Sequence, residues 1–206
     1  MFIKNMAVSA KLWLLIFLSA LTVIFMASVS LFDLRQSVQQ EREIQLRSLL
    51  DTSLSLISSL HAKVDAGDFS DSEAQHQARI LLADLRYDKN EYFFVLNSNA
   101  DVLVHGADST QVGRNLEAVK SPDGQFVFSH MASLLNSDTK IQKFNYFWPK
   151  AGSVEPQPKL SFATTYEPWG WVIGTGVYTD DLNTAFFSQA IKMCLQLLVV
   201  ASRMII

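Results

Sequence analysis

The chain has 206 residues, 49% of them hydrophobic and 18% charged, with 20 Asp and Glu against 17 Lys and Arg for a net charge of −3. That length allows one domain with appendages, and a single cysteine, Cys194, rules out a disulfide framework. Residues 33–189 hold all 20 acidic side chains and 13 of the Lys and Arg, a net charge of −7 between basic, apolar ends, which argues against a nucleic-acid partner.

The first element is Leu12 to Phe32, 21 residues without a charge, long enough to cross a hydrocarbon core as a helix. Lys4 and Lys11 precede it and Asp33 follows, so residues 1–11 are expected in the cytoplasm. A cleaved leader would have a shorter apolar core before a small-x-small site. Ala27-Ser28-Val29 with Ser30 matches that weakly, and an uncleaved anchor is expected. Residues 33–65 contain no Gly or Pro and predict a long helix. Leu46, Leu50, Ser53, Ile57, Leu60 and Val64 form one apolar seam with Ser53 as its weak member. The seam can pack on the chain's own domain or pair with a second copy in a parallel dimer that continues out of the membrane, and one seam can serve both along its length.

Ala66-Gly67-Asp68 stops this helix. Ser70-Asp71-Ser72-Glu73 has the form of a capping box opening a shorter helix with Ile80, Leu81, Leu82 and Leu85. Glu91 to Asn97 alternates as a strand, with Tyr92, Phe94 and Leu96 on one face and Phe93 and Val95 on the other. Ser98-Asn99-Ala100 turns the chain into a second strand, Asp101 to His105. Gln125 to Leu135 reads as a short helix, and Ile141 to Trp148 as a strand carrying Phe144, Tyr146 and Trp148 on one side. A Pro- and Gly-rich loop leads to Lys159 and a hairpin of Leu160–Tyr166 and Trp171–Tyr178, joined by Glu167-Pro168-Trp169-Gly170. Gly174 and Gly176 share one face of their strand and leave a gap that a bend, neighbouring packing or a small ligand can fill. Residues 186–206 are apolar but interrupted by Gln189, Lys192, Gln196 and Arg203, and predict a partial second membrane helix. The strands cluster instead of alternating with helices, so residues 33–185 are expected to form an α+β domain on an antiparallel sheet.

Arg86-Tyr87 with Tyr92-Phe93-Phe94-Val95 and Val102-Leu103-Val104-His105 resembles the opening of the type 2 single Cache sensor domain. Gly113-Arg114-Asn115-Leu116 and Pro122-Asp123-Gly124 fall where that family has similar loops. The strongest match runs from Tyr146-Phe147-Trp148-Pro149-Lys150 through Lys159 to Pro168-Trp169-Gly170-Trp171-Val172-Ile173-Gly174-Thr175-Gly176-Val177-Tyr178. The resemblance implies an extracytoplasmic, PAS-like fold with a long N-terminal helix, flanked by transmembrane helices, as in bacterial chemoreceptors (methyl-accepting chemotaxis proteins), sensor kinases and cyclases, whose members bind small organic ligands, often short carboxylates. The turn at Asn97–Ala100 lacks the family's usual glycine, and Gly106 stands where proline is common. A receptor of this kind would continue past Ile206 into a linker (HAMP) domain and a cytoplasmic signalling module, so a truncated receptor or a sensor acting through a membrane partner is expected.

A small carboxylate needs cationic or N–H donors and aromatic walls that exclude water. The candidates are Arg86, Tyr92, His105, Tyr146, Trp148 and Lys159. Arg86 can present a bidentate fork or pair at the surface with Asp84 or Asp88. Lys159 alone reads as a solvated strand end, but the resemblance implies a pocket lysine. Tyr92, Tyr146 and Trp148 read more readily as core than as ligand contacts, and His105 as a structural histidine; in a pocket, His105 would make binding depend on pH near 6 to 7. His61, His76 and His130 lie on helical stretches without a second ligand at useful spacing, so no metal is expected. No cofactor motif, nucleophile elbow, phosphate loop or paired catalytic carboxylates appear, and no catalysis is expected. The sequence therefore points to an inner-membrane, periplasmic ligand sensor, homodimeric through the long helix and the membrane segments. The alternative is a membrane-anchored structural or interaction module whose pocket is filled by its own side chains and which assembles with partner receptors.

Overall fold

The computed structural model describes residues 7–88, 91–139, 141–179, 188, 191 and 192. The expected second membrane segment lies almost wholly outside the described residues. Contacts divide the chain into two units, Met1–Arg42 with Ser188–Ile206 and Glu43–Phe187.

Helix α1 runs without a break over Val8–Asp65, as the absence of Gly and Pro predicts. It is long and apolar enough to cross a membrane. The hydroxyls within its apolar stretch bond back to the helix, Ser19 Oγ to the Ile16 carbonyl and Ser28 Oγ to the Ile24 carbonyl, each at 2.8 Å. They thus need no solvent partner, the condition hydrocarbon imposes on polar groups.

In the second unit the seam of α1 is buried at Leu46, Leu50, Ser53, Ile57 and Leu60. Leu46, Leu50, Ile57 and Leu60 join a core with Phe93, Phe162, Trp171 and Ile173, so this part of the seam packs on the chain's own domain. Ser53 fits there because its Oγ donates to the Leu50 carbonyl at 2.7 Å. Helix α2, Asp71–Asp84, begins at Ser70, whose Oγ accepts from Glu73 N–H at 3.2 Å. Its packing face is Ala74, Ala78 and Leu82, an i, i+4 row whose two alanines bring the helix close to the core. Ile80 and Leu81 are instead 43% and 42% exposed. Replacing Ser70 with Ala should cost about 1 kcal/mol, the usual worth of an N-cap, readable as a lower urea midpoint with unchanged slope.

The strands are β1 (Arg86–Tyr87), β2 (Glu91–Leu96), β3 (Val102–His105), β4 (Ile141–Pro149), β5 (Pro156–Tyr166) and β6 (Trp171–Tyr178), and α3 is Val127–Ala132. They form one antiparallel sheet in the order β1-β2-β6-β5-β4, with β3 also on β2. The two-residue β1 was not foreseen as a strand. Strand β5 starts earlier than expected, within the proline-bearing segment. The hairpin of β5 and β6 is as expected, and its turn closes at Gly170, where φ is +61°, a conformation glycine adopts without strain. In the β2–β3 turn the corresponding left-handed position is taken by Ala100, φ +59°, and Asn97 Oδ1 accepts from the N–H groups of Asn99 and Asp101 at 2.9 Å each. The two faces of the sheet bury different cores: α1 and α2 cover Phe93, Val95, Phe162 and Ile173, while α3 covers Phe94, Leu96, Phe144, Tyr146 and Val172.

Candidate functional site

The face of the sheet under α3 receives Tyr92, Phe94 and Leu96 from β2, Phe144, Tyr146 and Trp148 from β4, and Lys159, Ser161 and Ala163 from β5, as strand alternation requires. Between this face and α3 lies a cavity whose polar walls are Tyr92, His105, Tyr146 and Trp148. Phe94, Leu96, Val102, Leu116 and Phe128 supply its apolar walls. Phe128 sets its edge against Tyr146 and Trp148, with ring centres 5.8 and 4.8 Å away. The free volume is about 10 Å³, close to the least that one water requires.

Lys159 is 2% exposed. A strand-end lysine is ordinarily solvated, but β5 is paired on both sides here, with Lys159 opposite Tyr146 on β4 and Tyr178 on β6. Its Nζ donates to Tyr92 Oη at 2.9 Å and lies 4.0 Å from the centre of the Tyr92 ring and 4.8 Å from that of Tyr178. Burial lowers the lysine from 10.5 to about 7, opposed by the nearby Glu91 carboxylate. Burial also holds the Tyr92 and Tyr146 phenols above their usual range, so both are neutral hydrogen-bonding groups near neutral pH. Tyr146 Oη lies 3.1 Å from Ser161 Oγ.

His105 lines the same cavity, its ring 4.7 Å from that of Tyr92. Nδ1 accepts from Asp108 N–H at 3.0 Å. A backbone N–H can only donate, so the neutral ring carries its proton on Nε2. Burial first, and then the charge of Lys159, push His105 down to about 4. The titration expected from this residue at pH 6 to 7 is therefore corrected: His105 is neutral there, and Lys159 is the group that changes charge near neutrality.

Tyr92, His105, Tyr146 and Trp148 thus come together on one cavity, and Lys159 joins them through Tyr92. Arg86 stands apart: its guanidinium donates to the carbonyls of Ala83 (2.6 Å), Leu85 (2.8 Å) and Gly106. Sequence reasoning missed Tyr178, which faces Lys159 across the β5–β6 register, and Ser161, the partner of Tyr146. It also missed Glu91, whose Oε1 accepts from Tyr178 N–H at 3.4 Å. The signal for all three is pairing register, which a single strand does not carry. The glycine pair is filled from within the chain. A Cβ on Gly174 would stand 2.1 Å from Phe94 Cζ, and one on Gly176 would stand 2.1 Å from Ser161 Oγ and 2.4 Å from the Leu160 carbonyl oxygen.

The single Cache domain 2 family matches residues 38–192 of this chain. The methyl-accepting chemotaxis protein McpP of Pseudomonas putida is 30% identical over 187 residues, 91% of this chain and 34% of that protein. The sensor histidine kinase MctS of Rhizobium johnstonii is 29% identical over 157 residues, 76% of this chain and 33% of that protein. The chain therefore spans about a third of the length of these curated relatives. Among solved structures, a periplasmic sensor domain of a chemotaxis protein is 34% identical with a TM-score of 0.65, covering 68% of this chain and 96% of that one. A Cache chemosensory domain described for carboxylic acid recognition is 29% identical with a TM-score of 0.65, covering 69% of this chain and 97% of that one.

Proposed function

The chain belongs to the single Cache domain 2 family, and from that premise we propose that it is the sensor region of a membrane-anchored receptor of the chemoreceptor or sensor-kinase type, taking a small organic carboxylate on Lys159. The observation that carries this reading is a buried lysine boxed by two tyrosine rings beside an aromatic cavity. A carboxylate there gains a charge-assisted bond in a site shielded from bulk solvent, where such bonds are strong. Tyr92 and the Nε2–H of His105 supply further donors, and Phe94, Leu96 and Phe128 would have to part to receive an apolar tail, since the free volume between them is about that of one water. Residues 12–32 anchor the domain in the bacterial inner membrane with the N-terminus inside and the sensor region in the periplasm. A homodimer through α1 would use a helix face other than the seam, such as the one exposing Ile44, since the seam is already buried in the chain's own core. Ligand acts by binding one arrangement of the sheet better than another, and Tyr178, beside Lys159 at the end of β6, is the element placed to pass that difference on.

Thermal unfolding of residues 33–189 against C2 to C4 carboxylates, amino acids and amines tests the reading. A ligand at 100 times its dissociation constant adds about 2.7 kcal/mol, or roughly 5–10 °C for a domain of this size. A shift with carboxylates alone is expected. No shift across the panel would favour the interaction module with a self-filled pocket, a reading that the small free volume of the cavity supports.

A pH dependence follows from Lys159. With the free amine titrating at about 7 and a bound carboxylate holding it protonated, affinity should be flat below pH 7 and fall by up to about tenfold per unit above it. The stability of the ligand-free domain runs the opposite way. Between 7 and 10.5 the unfolded chain holds the proton that the folded one has lost, so the contribution of Lys159 to folding rises with pH, by up to about 1.4 kcal/mol per unit. Titration calorimetry and urea melts over pH 6 to 9 read the two trends.

A further inference from the structure

We propose that Arg86 is a positioning residue for the carboxylate site, its guanidinium joining the end of α2 to the Gly106 corner and so fixing the His105 ring against the cavity. This rests on the reading of that cavity as the ligand site. The last carbonyls of a helix lack intrahelical donors. At the end of α2, Arg86 Nη1 donates to the carbonyls of Ala83 and Leu85, at 2.6 and 2.8 Å, and Nη2 donates to that of Gly106. Three carbonyls from two elements on one planar group is a task for the guanidinium fork and not for a lysine ammonium.

The corner it holds has no slack. A Cβ on Gly106 would stand 2.9 Å from Arg86 Nη1 and 3.0 Å from Tyr92 Cβ, and Gly106 N–H donates to the Phe93 carbonyl at 2.9 Å. His105 is therefore held on both sides: Gly106 is fastened by Arg86 and β2, and Nδ1 by Asp108 N–H at 3.0 Å. The second bond leaves the proton on Nε2 of a ring that lines the cavity. Because Gly106 stays bonded to β2, losing Arg86 loosens the corner without opening the sheet.

The test uses the full chain in detergent micelles, with propionate as the probe. The imidazole nitrogens of His105 are followed by NMR and assigned with His105→Gln. In the unmodified chain His105 shows one Nε2–H tautomer. Arg86→Lys keeps the charge and removes the fork. It is expected to mix the tautomers and weaken propionate about tenfold, the scale of one misplaced donor to a charged ligand. His105→Gln should weaken it similarly, and adding Arg86→Lys to that variant should change affinity no further. Unchanged His105 signals in Arg86→Lys overturn the proposal whatever the affinity does, and so does full affinity with mixed tautomers or a further loss in the double variant. If the unmodified chain binds no carboxylate, the ligand reading fails and the proposal with it. The His105 signals without ligand still report whether Arg86 holds the ring.

Discussion

Lys159→Met should weaken carboxylate binding by at least about 30-fold while leaving the domain folded. The first part follows from the cost of removing one partner of a buried, charge-assisted hydrogen bond, about 2–5 kcal/mol. The second follows from the burial that lowers this amine. A desolvated ammonium is costly to the folded state, and an unbranched apolar chain of similar volume removes that cost. The variant should thus melt no lower than the unmodified domain at pH 7 and should lose the rise of stability with pH. Few substitutions separate binding from folding so cleanly, because most neighbours of Lys159 belong to the second core. Thermal melts with and without carboxylate read both effects. A folded variant with undiminished affinity would remove Lys159 from the site.

Gly176→Ala should destabilise the domain by about 3 kcal/mol or more. The added methyl would meet the Leu160 carbonyl oxygen at 2.4 Å and Ser161 Cα at 2.8 Å. These are backbone atoms of the paired strand, with Ser161 directly opposite Gly176, so relief means parting β5 from β6. Overpacking a core usually costs 1–3 kcal/mol, and a clash with backbone belongs at the upper end or beyond. Gly174→Ala offers an internal comparison. Its clash is with the far end of the Phe94 ring, a side chain that can shift where backbone cannot. That substitution should cost less stability, close the site to ligand, and be relieved by adding Phe94→Ala. Equal costs for the two alanines in urea unfolding would contradict this distinction.

Much of the scaffold can be read from one strand or helix at a time. The seam from Leu46 to Leu60 is buried as its spacing implies, and the alternation through Tyr92–Leu96 sorts those side chains onto opposite cores. What escapes such reading depends on partners. Pro156 and Pro158 argue for a loop, yet both lie in β5. They pair only with β4, because β6 reaches β5 no further than Lys159, and on the open side a missing N–H costs nothing. The burial of Lys159 has the same origin: the segment Gln157-Pro158-Lys159-Leu160 resembles a solvated strand end until strands lie on both sides. Family resemblance, not spacing, implied a pocket lysine; the structure buries Lys159 beside the cavity, bonded to Tyr92. The titration of His105 was misplaced because it depends first on burial and then on the charge of Lys159, neither of which the β3 segment carries by itself. Arg86 was read as a ligand fork or a surface ion pair, whereas three backbone carbonyls receive its donors. Which carbonyls lie within reach is set by the approach of α2 to the end of β3.

If a carboxylate is held by the ammonium of Lys159, binding above pH 7 must bring a proton with it. Titration calorimetry of the carboxylate that most raises the melting temperature, repeated at pH 6 and pH 8.5 in buffers of different ionisation enthalpy, counts the protons taken up on binding. Near-zero uptake at pH 6 and close to one proton per ligand at pH 8.5, abolished in Lys159→Met, is the expected result. Binding at pH 8.5 without proton uptake, or with an uptake that survives Lys159→Met, would contradict it.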